Sequence, residues 1–226
     1  MQGMVIAVTG GFGVLGRAVV VAARAAGAEA AAIGRSAAPA NFEDDVLAIG
    51  ETDLADPAAA ARALEAVAAR FGRLDALVNA AGAFRWQAVA DEPFETWTRL
   101  FAVNVLTAAA ASRAALPHLA ASGRGAIVNV GAAAALEAGA GMGPYAAAKA
   151  GVHRLTEALA REWKGKVRVN AILPSILDTP ANRADMPGAD PAAWVSPAEA
   201  AEAVLFLASP RASAITGALL PVIGRV

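Results

Sequence analysis

Tyr145 and Lys149 are spaced Y-x-x-x-K. On a helix, residues four apart share a face, so this spacing presents a phenol and an ammonium side by side. A free phenol titrates at about pH 10. A neighbouring lysine charge favours the phenolate and lowers that value. A phenol so placed can give a proton to a substrate oxygen or nitrogen, or take one back in the reverse direction. Lys149 therefore stands as the partner that tunes Tyr145.

A second group of residues points to phosphate. Gly10-Gly11-Phe12-Gly13-Val14-Leu15-Gly16 follows a short apolar run and opens an alanine-rich one. Glycines at 10, 13 and 16 permit a tight turn, close backbone approach to a pyrophosphate and close helix–strand packing. The helix that follows offers unpaired N–H groups and the positive end of its dipole. Further on stands Ile33-Gly34-Arg35-Ser36, with no carboxylate to hold a ribose 2′-hydroxyl. Arg35 can instead grip a 2′-phosphate, with Ser36 beside it and Arg17 within reach. The expected cofactor is NADP(H), preferred over NAD(H). Asp53-Leu54 follows a third strand, where the carboxylate can accept from an adenine amino group. Asn79-Ala80-Ala81-Gly82 follows a fourth, where small residues let the chain pass beneath a nucleotide.

These residues need a scaffold, and the chain reads as alternating strands and helices. Expected strands are Met4 to Thr9, Ala30 to Ile33, Val46 to Ile49, Leu74 to Asn79, Ala126 to Val130, Val167 to Ile172 and Leu219 to Ile223. They are continuous apolar runs, the mark of a parallel sheet covered on both faces. Val14 to Ala26 reads as a helix stopped by Gly27, and Pro57 to Phe71 as a helix opened by its proline. The expectation is an α/β, doubly wound parallel sheet, a Rossmann fold, in one domain over residues 1–226. Asp178 to Ser196 reads as an irregular loop able to cover a site.

Composition narrows the partners. A net charge of −1 attracts neither nucleic acid nor an anionic membrane surface. There are no cysteines, which removes disulfides and thiol chemistry. His118 and His153 lie far apart and read as helix-surface residues, so no metal site is expected. The N-terminus lacks a basic segment followed by a signal-length apolar run, and Arg113, Pro117 and His118 interrupt the run Leu106 to Ala121. The expected protein is cytoplasmic, with a small-molecule substrate.

Taken in order, these motifs resemble the short-chain dehydrogenase/reductase family along essentially the whole chain. The matching elements are the glycine loop, Asp53, Asn79 to Gly82, Asn104, Tyr145 with Lys149, Pro174-Ser175-Ile176-Leu177-Asp178-Thr179 and Ile215-Thr216-Gly217. The resemblance implies that Lys149 also bonds the nicotinamide ribose. It implies that Asn104 helps hold a proton-relay water, and that Pro174, Ser175, Ile176 and Thr179 lie along the nicotinamide. It also implies a homodimer or homotetramer. Within the family the chain is most similar to the dihydropteridine reductase branch. The loop is spaced G-G-x-G-x-L-G, and Leu177 to Pro187 reads L-D-T-P-A-N-R-A-D-M-P. Alanine, Ala132, stands thirteen residues before Tyr145, where the wider family carries a serine. Gly34-Arg35 departs from that branch, which has an acid there.

Ala132 cannot donate a hydrogen bond to a developing oxyanion, a loss worth on the order of 10²–10³ in rate. A simple ketone then becomes a poor acceptor unless water or Ser175 substitutes. A quinonoid dihydropterin, an electron-poor conjugated imine, demands less. Trp86 could stack on such a flat ring, while Trp97, Trp163 and Trp194 read as packing residues. The expected activity is NADPH-dependent hydride transfer to a small conjugated substrate such as a quinonoid dihydropterin. The alternatives are a general carbonyl reductase or alcohol dehydrogenase of the 3-oxoacyl-reductase kind, and a non-catalytic NADP-binding sensor.

Overall fold

The computed structural model describes residues 1–40, 42–43, 45–91 and 93–226. Strands β1 (Val5–Thr9), β2 (Glu29–Ile33), β3 (Val46–Ile49), β4 (Ala76–Asn79), β5 (Gly125–Val130), β6 (Val167–Pro174) and β7 (Leu219–Val222) form one sheet in the order β3-β2-β1-β4-β5-β6-β7. Every pairing is parallel. Connections run through α1 (Val14–Ala25), α2 (Pro57–Phe71), α3 (Glu95–Phe101), α4 (Thr107–Ala121), α5 (Gly143–Glu162), α6 (Pro180–Asp185) and α7 (Pro197–Ala208).

Alternate strand residues serve opposite faces, as the two-residue period of a strand requires. Ile6 and Val8 pack with Val19 and Val20 of α1 and Val204 of α7. Val5 and Ala7 pack with Leu64 and Val67 of α2, Ala111 and Leu119 of α4, and Leu159 of α5. Both faces are therefore covered, which is why the strands are apolar throughout. Cutting a fully buried side chain such as Leu77 or Ile127 to alanine should cost about 2–5 kcal/mol.

The chain builds outward from β1 to β3 and then returns to build from β4 to β7. The direction reverses between β1 and β4, and a crevice opens beyond their carboxyl ends, where open α/β sheets bind ligands. The glycine loop and the Asn79–Gly82 segment leave the sheet at this place.

The expected strands are present, with ends moved by one or two residues. Two features differ, the segment Asp178 to Ser196 and His153. Asp178 to Ser196 is not irregular: it holds α6 and a 3₁₀ turn at Pro191–Ala193, and Leu177 bridges Val195. The helical run Glu95–Ala121 is long and apolar enough to cross a membrane by length and composition. Here Ala111, Ala115, Leu116 and Leu119 of that run lie in the core. His153 is no surface residue but is 1% exposed, because its face of α5 lies against the end of β5.

Opposite the crevice, Asp75 is fully buried. Its carboxylate accepts from Val5 N–H (2.9 Å), Arg73 (2.9 and 2.7 Å) and Arg124 (2.9 Å), tying the starts of β1, β4 and β5. Burial alone would raise its pKa. The hydrogen bonds from Arg73, Arg124 and Val5 outweigh that and hold it below the usual carboxylate range.

Candidate active site

The glycine loop forms one wall of the crevice. Gly10 has φ +66°, and a Cβ there would stand 2.7 Å from Ala81 N. A Cβ on Gly16 would strike the Gly10 carbonyl, and one on Gly11 would stand 2.6 Å from Ala32 Cβ. Glycine at these positions lets β1, α1 and the Ala80–Ala81 segment close up. Gly13 caps α1 with no side-chain hydrogen bond. Asp56, Thr179 and Ser196 cap their helices with side-chain oxygens. The first N–H groups of α1, at Val14, Leu15 and Gly16, thus remain available to an anion. Val14 is exposed, Leu15 and Gly16 buried.

At the end of β2, Phe12 covers Gly34, whose Cβ would run into the ring. Phe12 meets Phe42 edge to face at 5.2 Å. Arg35 and Ser36 are exposed beyond it. Arg17 is engaged elsewhere: it pairs with Glu43 at 2.8 Å and lies over the Phe42 ring at 5.9 Å. The sequence offered no sign of this contact, which joins residues 26 apart. Leu54 is buried, while Asp53 is exposed and accepts from Ala55 N–H at 3.0 Å.

The floor is a buried polar network. Asn79 donates to Asn129 Oδ1 (2.8 Å) and Ser112 Oγ (3.0 Å), and Asn129 donates to Thr156 Oγ1 (2.9 Å). It locks β4 to β5, α4 and α5. Asn104 lies in a π-helical turn, Ala102–Leu106, between α3 and α4. Its amide donates to Ala83 O and Leu100 O, both at 3.0 Å, and accepts from Ala83 N–H at 3.2 Å. This side chain clamps the chain just after Gly82. A Cβ on Gly82 would stand 2.6 Å from Asn104 Oδ1 and 3.3 Å from Lys149 Nζ.

Tyr145 and Lys149 occupy successive turns of α5 facing the end of β5. Lys149 is buried, and its Nζ donates to Val130 O at 2.7 Å. Burial pulls its pKa down to about 8. Tyr145 is half-buried, with Phe84 edge-on at 4.9 Å. Burial pushes its phenol up to about 12. This corrects the expectation of a lowered phenol: low-dielectric surroundings disfavour the phenolate more than Lys149, bonded to Val130, favours it.

Ala132 is buried and extended, and its N–H points to His153 Nε2 at 3.4 Å. Ser175 is no replacement donor, because its hydroxyl donates to Ile223 O at 2.8 Å. Pro174 ends β6, Ile176 pairs with Val195, and Thr179 caps α6. Trp194 is buried and anchors this segment. Around the mouth, Phe84, Trp86 and Leu136 are exposed apolar groups. Trp86 also packs on Gly141, and Gln87 N–H donates to Gly141 O at 2.8 Å. The structure therefore brings the glycine loop, Gly82, Asn104, Tyr145, Lys149 and Ala132 to the carboxyl ends of the central strands β1, β4 and β5. Glu43, Phe84 and His153 join them unforeseen; only His153 had a signal, the repeated step of four from 145 to 149 to 153.

The family model described as short chain dehydrogenase matches residues 4–189. The cis-4-hydroxycyclohexanecarboxylate dehydrogenase of Sinomonas cyclohexanicum is 38% identical over 183 residues, 76% of this chain and 74% of that protein. The 3-oxoacyl-[acyl-carrier-protein] reductase FabG of Vibrio cholerae is 32% identical, over 99% of this chain and 97% of its own. The crystal structure of the 3-ketoacyl-(acyl-carrier-protein) reductase from Brucella melitensis, complexed with NADH, superposes with a TM-score of 0.87. It is 30% identical, covering 99% of this chain and 98% of that one.

Proposed function

The chain belongs to the short-chain dehydrogenase/reductase family, and from that premise we propose that it reduces a small conjugated acceptor, a quinonoid dihydropterin first among them, with NADPH in preference to NADH. It is an oxidoreductase. The observation that carries the choice of acceptor is Ala132, with the Ser175 hydroxyl turned away to Ile223.

NADPH, when bound, supplies the hydride. The open N-terminus of α1 fits its pyrophosphate, and the exposed Arg35–Ser36 corner fits its 2′-phosphate. Gly82 leaves room between Asn104 and Lys149 that a side chain would fill. Tyr145 delivers a proton to the acceptor. Lys149, charged below about pH 8, holds the end of β5 one helical turn beyond the phenol through its bond to Val130 O. Position 132 contributes no donor, so an acceptor that spreads charge over a ring system is reduced with the least loss. Phe84, Trp86 and Leu136 make an apolar rim suited to a flat ring. A single-domain cytoplasmic enzyme, homodimeric or homotetrameric, completes the proposal. The exposed Phe101 and Leu106 support self-association.

A second reading, reduction of a 3-oxoacyl thioester, is favoured by the full-length similarity to FabG. One assay separates the two. Oxidation of NADPH and NADH is followed with chemically generated quinonoid dimethyl-dihydropterin and with an acetoacetyl thioester, for the native protein and for Ala132→Ser. The proposal expects native turnover of the pterin, NADPH ahead of NADH, and a rise of about 10²-fold in ketone reduction in the variant. Native turnover of the thioester alone would replace the first reading by the second.

A further inference from the structure

His153 stands one helical turn beyond Lys149 and two beyond Tyr145, on the same face of α5. Its imidazole is buried, with Nε2 3.4 Å from the N–H of Ala132. Gly131 makes room for it: a Cβ there would stand 2.5 Å from Nε2 and 2.8 Å from Cδ2. Three consecutive residues at the end of β5 are thereby held by three different groups. Lys149 takes the carbonyl of Val130, Ile172 O accepts the N–H of Gly131 at 2.9 Å, and His153 accepts the N–H of Ala132.

We propose that His153 is a positioning residue, whose ring fixes the backbone at 130–132 and so places both Lys149 and the Ala132 wall against the substrate. The inference rests on reading Tyr145 and Lys149 as the reaction centre. Accepting at Nε2 requires a neutral ring with its proton on Nδ1. The surroundings favour that state: burial first, then the positive charges of Arg154 and Lys149, with Glu157 opposing. No side chain of Gly131, Ala132 or Ile172, the residues facing the ring from β5 and β6, carries charge.

Two measurements test it. Long-range ¹H–¹⁵N spectra of the native protein at pH 7 should show His153 protonated on Nδ1 and bare on Nε2; a His118→Gln sample supplies the assignment. The opposite tautomer overturns the proposal, whatever the substrate proves to be. Kinetics then use whichever of the dimethyl-dihydropterin and the acetoacetyl thioester the native protein turns over faster. Small misplacements of reacting groups can cost about 10²-fold. His153→Ala should lower kcat at least about tenfold, with the KM for NADPH within about threefold. His153→Gln, whose Oε1 can accept the same N–H, should recover most of that loss. Gly131→Ala should lower kcat in the native background and cost little more in the His153→Ala background, because the clash is with the ring. A folded His153→Ala protein with native kcat, or a Gln variant no better than Ala, overturns the proposal. If neither acceptor is reduced, the functional reading fails, and the tautomer still decides this inference.

Discussion

Gly82→Ala tests the packing of the site at its tightest point. The added Cβ would stand 2.6 Å from Asn104 Oδ1, so the amide must retreat by at least about 0.4 Å to reach the closest tolerable contact. Asn104 is not free to do so. It is buried and makes hydrogen bonds of 3.0, 3.0 and 3.2 Å to Ala83 and Leu100. Each is worth about 0.5–1.5 kcal/mol net, and a buried amide left without partners costs about 1–3 kcal/mol. Losing one or two bonds destabilises the protein by about 2 kcal/mol, or about 4–8 °C in Tm for a chain of this size. The same Cβ approaches Lys149 Nζ to 3.3 Å, beside its bond to Val130. NADPH affinity should fall about tenfold, equivalent to about 1.4 kcal/mol. Calorimetry and NADPH fluorescence titration read the two effects, with Gly139→Ala as control, since a Cβ at Gly139 meets nothing within 4 Å. A Gly82→Ala protein matching that control in Tm and NADPH affinity would refute the reasoning.

Three further outcomes follow from the geometry. Asp75→Asn leaves the part-exposed Arg73 and Arg124 facing a neutral group and should cost about 1.5–3 kcal/mol, read by urea denaturation. Because the folded Asp75 has a pKa below its unfolded value, its contribution is full above about pH 4 and fades as pH falls through the folded-state pKa; acid titration of the native and Asn proteins should converge there. Arg35→Glu should weaken NADPH about 10- to 100-fold and spare NADH, the loss of a charge-assisted hydrogen bond being worth about 1.5–3 kcal/mol; equal weakening of both cofactors would deny Arg35 its phosphate. Tyr145→Phe should lower turnover by about 10²–10⁴-fold while NADPH still binds, and unchanged turnover would move the proton donor elsewhere.

The fold was legible because burial on two faces writes itself into composition: Val5 to Thr9, Leu77 to Asn79 and Ile127 to Val130 can be little else than inner parallel strands. β2 was weak on propensity, being largely Ala30-Ala31-Ala32; it is held as a strand between β1 and β3, with Ala32 packed close to Gly11. The glycine loop and the Tyr145–Lys149 pair declared themselves through local spacing. What stayed hidden depends on groups distant in sequence. Glu43 reaches Arg17 across 26 residues. The phenol of Tyr145 is shifted by Phe84 and its other surroundings, and burial is a property of the assembled fold. His153 looked like any polar residue on a helix until β5 was laid against it. The segment before Ser196 looked irregular because Pro180 and Pro191 mark helix starts as readily as loops.

Strand β4 carries the ion cluster of Asp75 at its entry and the amide network of Asn79 at its exit. At about 3.3 Å per residue these lie about 13 Å apart. Substitutions separated by that much, with no shared partners, act independently. The protein is thus divided into a foundation and a workbench. Reinforcing the foundation around Arg73, Asp75 and Arg124 would raise the load the fold can bear without retuning its chemistry. The loops carrying Phe84, Trp86 and Leu136 could then be randomised together in the search for new acceptors, with fewer library members lost to misfolding.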